Sequence, residues 1–479
     1  MFDRQRGQIA LWLVLGMLLL AGVGWWARGA LAPLGVVGSA NKAKLLCSAV
    51  LGAGRDAAEL LGAEVGTDQL QLVDVELDAE RGEVVGSVLW FSEAVLYRPG
   101  LGCTRAVGTS VEALRAQVPA AVVPEAPDLT AVPWPTGDVI DPALMPAHDA
   151  AALAEVVATA FAEPDPSRPV NTRALLVVWR GQLVAERYGP EFDADTPLIG
   201  WSMTKSLTNA LVGMRVLDGA LDLAAPAAVP EWQQPGDPRA AITLDQLLRM
   251  SSGLAFTEDY GGLESDVVTM LFGAGGHDMG GFAATRPLAG PPDSRWYYSS
   301  GTTNLVQRIL RGSFERHEDY LAFPAERLFH RIGMTRSWIE PDASGTFVGS
   351  SFGYGTGRDW ARFGLLFLQD GVWEGERLLP EGWVAYSTTP TPLAPQGRYG
   401  AHWWLNAGDA DDPTRRPWPR LPRDAYRASG FEGQSVMIVP SAELVVVRLG
   451  YSPDERVFDI GAFTADVIDV LSRGALAQR

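Results

Sequence analysis

Cysteine is almost missing from this sequence: Cys47 and Cys103 are the two among 479 residues. That scarcity excludes a disulfide-rich scaffold and a four-cysteine metal centre. The two thiols would pair in an oxidising compartment, and two separate buried thiols are the alternative. Histidine is also sparse. His148, His277, His317, His330 and His402 contain no pair at metal-ligand spacing, so neither a metal nor another cofactor is implied. Lysine is rarer still, with Lys42, Lys44 and Lys205 as the only three among 39 basic residues. Acidic residues number 57 and the formal charge is −18, which excludes nucleic acid and anionic lipid as partners held by broad electrostatic attraction.

Apolar residues make up 47% of the chain, enough for a substantial core. Residues 9–26 carry no charge and are flanked by Arg4, Arg6 and Arg28. A secretory h-region runs to about 15 residues and a spanning helix needs about 20, so residues 1–28 read as an N-terminal signal-anchor or transmembrane helix. Trp25 and Trp26 suit an interface. A cleaved signal is the alternative, because Ala30-Leu31-Ala32 resembles a processing site, although Pro33 follows it directly. Arginines before the span would stay in the cytoplasm. Both versions therefore put the remainder outside it, as a membrane-anchored periplasmic domain or a secreted one.

Residues 29–117 read as a small accessory α/β region, with a helix near 56–62 and β-like runs at 70–77 and 83–91 separated by a turn. Seven prolines fall between residues 118 and 146, which predicts a linker over 118–147. The large domain, 148–479, opens with a strand pair at 175–179 and 182–187 and closes with another at 435–439 and 444–448, followed by a helix. A mostly helical middle separates the pairs. Strands from both ends with helices between them predict an α+β fold: an antiparallel sheet flanked by helices with an inserted helical region.

Ser202-Met203-Thr204-Lys205 precedes a helical stretch. A serine at a helix N-terminus lies near free backbone N–H groups and the positive end of the dipole, which favour an alkoxide and an oxyanion. Lys205, one turn on, faces the same way, and desolvation lowers the pKa of such an amine towards that of a base. The pattern alone is weak, since Ser39-Ala40-Asn41-Lys42 also satisfies S-x-x-K. Lys205 is, however, the single lysine of the large domain. Arginine carries charge as well but cannot act as a base, so a retained lysine points to a need for the amine.

Tyr298-Ser299-Ser300 and Gly430-Phe431-Glu432-Gly433-Gln434 complete an ordered set. The set resembles the serine β-lactamase and penicillin-binding-protein superfamily over 148–479, in particular its class C-like branch with esterases and 6-aminohexanoate-dimer hydrolase. Residues 242–248 with 251–254, the L-x-x-x-x-G-M-like run at 328–334, the helix at 357–364 and Tyr399-Gly400-x-x-Trp403-Trp404 add to the likeness. The resemblance implies a β-lactamase-like fold, Ser202 as nucleophile, Lys205 as the amine beside it and Tyr298 as the phenolic partner. It places Ser300, Gly430, Phe431, Gly433 and Gln434 at the substrate or oxyanion side, with the Phe431 N–H joining that of Ser202. Tyr297 is the alternative phenol should the register slip by one.

Two departures bear on substrate. Ser300 stands where asparagine is common, and the third motif lacks K-T-G and any neighbouring lysine. The expected activity is therefore serine hydrolysis of a small ester or linear amide through an acyl-enzyme. The alternatives are β-lactamase or DD-peptidase activity, or a non-catalytic sensor. Gly349-x-Ser351-x-Gly353, with Asp370 and His402 after it, fits a nucleophile elbow in sequence but lacks the strand–turn–helix and βαβ context that motif needs.

Overall fold

The computed structural model describes residues 28–29, 31–66, 68–119 and 121–476. The apolar segment 9–26, expected to cross the membrane, lies outside them. The first described helix, α1 (Leu31–Gly52), is itself long and apolar enough to span a bilayer, yet half of that stretch is buried against protein. Ala40, Ala43, Leu46 and Cys47 form its sealed face. A short helix α2 (Ala57–Ala63) follows, capped by the Asp56 carboxylate on Glu59 N.

Next comes an antiparallel meander of β1 (Asp74–Asp78), β2 (Glu83–Val88), β3 (Phe91–Arg98) and β4 (Gly102–Arg105). Strands β1 and β2 form the expected hairpin, with Asp78 opposite Glu83. The sequence predicts this hairpin alone, whereas β3 and β4 extend it and α3 (Val111–Ala116) closes the region. A disulfide between Cys47 and Cys103 fixes the end of α1 to β4. Lys42, the lysine of the decoy S-x-x-K, donates to the carbonyls of Leu70 and Val73 at 2.9 and 2.7 Å and so anchors the loop before β1.

The proline-rich stretch holds no strand or α-helix among its described residues and runs as a strap along the large domain. Trp134 is buried and its indole donates to Gly181 O at 2.9 Å, while Arg362 donates to the carbonyls of Pro135 and Gly137. Lys44 and Glu340, both buried, form an ion pair between α1 and the large domain, and Cys103 N donates to the same carboxylate.

In the large domain α4 (Ala150–Thr159) leads to β5 (Thr172–Trp179) and β6 (Gln182–Tyr188). The insertion then runs through β7 (Leu198–Ile199), α5 (Thr204–Leu217), α6 (Leu244–Leu248), α7 (Asp266–Phe272), α8 (Met279–Ala284), α9 (Ser300–Gly312) and α10 (His317–Phe323). It continues with β8 (Trp338–Ile339), β9 (Gly353–Gly355), α11 (Gly357–Leu368), the small hairpin of β10 (Val372–Trp373) and β11 (Glu376–Arg377), and α12 (Trp383–Ser387). The chain ends with β12 (Trp404–Leu405), β13 (Tyr426–Gly430), β14 (Gln434–Val439), β15 (Leu444–Gly450) and α13 (Ile460–Leu476).

Six strands pair antiparallel in the order β12-β13-β14-β15-β5-β6, so the two terminal strand pairs meet where Val445 lies opposite Val178. Both faces of this sheet are covered. The period of two sends Leu176, Val178, Val445 and Val447 into the core shared with α5 and α11, and Leu175, Val177, Val446 and Met437 into the core under α4 and α13. This double burial explains why β5, β14 and β15 read as unbroken apolar runs rather than alternating ones.

Candidate active site

Ser202 lies in the single turn Trp201–Met203 that starts α5. Trp201 before it adopts φ +47°, a left-handed conformation costly for a bulky residue and found where a structure holds a site in place. The holding contact is visible: the Trp201 indole donates to the Glu432 carboxylate at 2.9 Å, and Glu432 is itself left-handed at φ +62°. A Cβ on Gly430 would come within 2.1 Å of Gly200 O, so only glycine lets the end of β13 press against the serine turn.

Lys205 Nζ is buried at the centre of the site. It lies 3.0 Å from Ser202 Oγ, 3.0 Å from Ser300 Oγ and 3.0 Å from the carbonyl oxygen of Ser350. Burial pushes the Lys205 ammonium down to about 8, against the upward pull of the Glu258 carboxylate. The ring of Tyr298 sits 4.7 Å from Nζ and packs against Tyr399 and Trp404. Tyr297 faces elsewhere: its hydroxyl accepts from Glu258 N at 3.2 Å. Of the two adjacent phenols, Tyr298 is the one at the lysine.

Ser300 opens α9 with Ser299 as the cap, and it is fully buried. Its Oγ donates to Glu258 Oε1 at 2.5 Å and its N–H to Oε2 at 2.7 Å. Glu258 and the Ser350 carbonyl were not anticipated from sequence. Glu258 stands in no motif of regular spacing, and Ser350 acts through its backbone, which no sequence pattern reports.

The remaining expected residues divide by position. Phe431 is exposed, stacks on Tyr260 at 5.9 Å and meets the edge of Trp201 at 5.9 Å. Gly433, at φ +81°, completes the turn, and the buried Arg448 donates to the Glu432 and Gly433 carbonyls to fix its shape. Gln434 is buried, with its amide bonded at both ends to Gly450, so it clamps β14 to β15. The elbow-like motif resolves otherwise: residues 349–353 lead into β9 rather than out of a parallel strand. His402 is buried between Lys205 O and Thr303 Oγ1, and burial with the nearby Lys205 charge pushes its imidazolium down to about 3.

An antiparallel sheet with a helical insertion, carrying serine and lysine one turn apart with a tyrosine over the amine, defines a β-lactamase-fold serine hydrolase. A family model described as Beta-lactamase matches residues 157–465, and the chain belongs to that family. Among curated proteins, the chain is 26% identical over 355 residues to the 6-aminohexanoate-dimer hydrolase of Paenarthrobacter ureafaciens, covering 66% of this chain and 84% of that one. A family VIII carboxylesterase superposes with a TM-score of 0.52 at 17% identity, covering 70% of this chain and 99% of that one. A penicillin-binding protein homolog from Caulobacter crescentus gives 0.50 at 16%, covering 69% and 99%.

Proposed function

We propose that this protein hydrolyses an ester or linear amide through an acyl-enzyme on Ser202. The observation that carries the reading is the placement of Lys205 Nζ within hydrogen-bonding distance of Ser202 Oγ, in surroundings that lower its pKa. As free amine it accepts the Ser202 proton while Oγ bonds to the substrate carbonyl carbon. The N–H groups of Ser202 and Phe431 receive the oxyanion, a role supported by the close seat of Gly430 on Gly200. The proton passes by Lys205 and Tyr298 to the departing alcohol or amine as the bond to it breaks. Water then attacks the acyl group, gives up its proton by the same route reversed, and frees Ser202.

The missing third-motif cation favours esters and linear amides over β-lactams. Arg448, on the adjacent strand, is engaged with backbone carbonyls and Thr172. The disulfide supports residence outside the cytoplasm, and we place the enzyme at the outer face of a membrane through its N-terminal apolar segment.

The test is hydrolysis of p-nitrophenyl acetate, a short amide oligomer and a chromogenic cephalosporin, with mass spectrometry of the protein. Turnover of ester or amide with a Ser202 adduct is expected, and Ser202→Ala should abolish both. Adduct without turnover would instead indicate a sensor, and hydrolysis surviving in Ser202→Ala would sink the assignment.

A further inference from the structure

One face of α1 stays open while its neighbours are sealed. Val37, Asn41, Leu45 and Ala49 follow one another at intervals of four along α1, with Ala53 just past its end, forming an oblique stripe in which each is only half-buried. Ala40, Ala43, Leu46 and Cys47 beside them are fully buried. The stripe is half-buried because it walls a cavity of about 360 Å³ whose opposite wall belongs to the large domain and includes Ser202. Twelve residues separate Val37 from Ala49, so the helical part of this wall is about 18 Å long. Small-molecule sites are usually concave, mostly apolar and several hundred Å³ in volume, and this one qualifies.

Its chemistry is one-sided. Ile199, Val268 and Phe272 face the stripe from the large domain, and three exposed apolar side chains, Tyr260, Leu263 and Phe431, stand on the same cavity wall. The charged groups lining it are already engaged: Arg55 with Glu59 and Glu64, Arg173 with Glu64, and Glu432 with the Trp201 indole. Asn41 is the polar interruption in the stripe, and its buried Oδ1 has no hydrogen-bond partner. A polar or charged acyl group would find few partners here. A hydrocarbon chain would exchange water for apolar walls along its length.

We propose that the accessory region is part of the substrate pocket, and that the cavity between α1 and the large domain takes the apolar chain of a medium- or long-chain acyl ester. The inference rests on Ser202 as nucleophile. It deepens that reading by giving the substrate an acyl chain directed away from Ser202 along α1.

The test is a series of p-nitrophenyl esters from acetate through butyrate and octanoate to dodecanoate on the full chain, with fluorophosphonate labelling of Ser202 measured in parallel. For the wild type, kcat/KM should rise with chain length by up to about fourfold per methylene until the cavity is filled. Ala49→Trp should fill the channel and remove the rise beyond butyrate. Asn41→Leu should steepen it, a gain that misfolding cannot imitate. Flat dependence on chain length in an enzyme whose Ser202 is labelled would overturn this inference and leave the hydrolase reading standing. Loss of labelling in the wild type would overturn both.

Discussion

Glu258 accepts both the backbone N–H and the hydroxyl of Ser300, at 2.7 and 2.5 Å. The consequence reaches Ser202 by proton counting. With its hydrogen committed to Glu258, Ser300 Oγ can only accept from Lys205, and the Ser350 carbonyl can only accept as well. Two N–H groups of the neutral amine are thereby assigned, and the lone pair is left for Ser202. Ser300→Ala and Glu258→Gln remove that assignment and should lower kcat/KM by about ten- to a hundredfold, the scale of a misdirected proton transfer. Because the Glu258 carboxylate raises the Lys205 pKa, Glu258→Gln should also move the rising limb of the pH–rate profile below its position near pH 8. A limb that does not move would rule out this link between Glu258 and Lys205.

The two neighbouring tyrosines separate by the same kind of measurement. Tyr298 lies over the lysine, whereas Tyr297 holds the backbone of Glu258. Tyr298→Phe should lower kcat by about 10²- to 10⁴-fold, as expected when a proton-transfer partner is removed. Tyr297→Phe should cost about 1 kcal/mol of stability, the worth of one hydrogen bond, and leave most of the rate. The reverse ranking in steady-state kinetics would shift the phenolic role by one residue.

The sheet was legible in the sequence because its strands are buried on both faces and therefore stand out as apolar runs, and both end pairs were placed close to β5, β6, β14 and β15. Ser202 and Lys205 are legible because their spacing and the scarcity of lysine are linear properties, whereas Tyr298 enters only through the resemblance of its motif to the family's. Glu258 is not legible, since its meeting with Ser300 spans 42 residues and depends on how the loop after α6 packs. Strands β3 and β4 are hidden because the turn between β2 and β3 is the apolar pair Leu89-Trp90, which merges in the sequence with the strands it joins. The most consequential omission was spatial: nothing linear shows that α1 faces Ser202, or that Lys44 is paired with a carboxylate 296 residues away.

That distant pair carries its own prediction. Glu340 is fully buried and serves Lys44, the backbone of Cys103 and Ser48. Glu340→Leu would leave the buried Lys44 without a counter-charge and should cost about 3–5 kcal/mol, read as a lower denaturant midpoint. Adding Lys44→Met removes the stranded charge and should restore part of the loss. If the double variant were no more stable than the single one, the ion pair would not be the source of the effect.

His402 should leave a signature in stability rather than in rate. Lys205 O, as a carbonyl, can only accept, so Nδ1 carries the proton and Nε2 accepts from Thr303 Oγ1; the ring sits neutral in the core. Burial and the adjacent Lys205 charge push its folded value down to about 3, against about 6.5 when exposed in the unfolded chain. Below pH 6.5 the unfolded chain binds a proton that the folded one refuses. The contribution of His402 is therefore complete above about pH 6.5 and is lost as the pH falls towards 3, amounting to a few kcal/mol at most. His402 adopts φ +60°, a conformation that asparagine tolerates, so His402→Asn keeps the backbone and a donor for Lys205 O while removing the titration. Urea unfolding between pH 4 and pH 7 should show a steep acid loss in the wild type and a shallower one in His402→Asn. Equal slopes would mean that other groups govern acid unfolding.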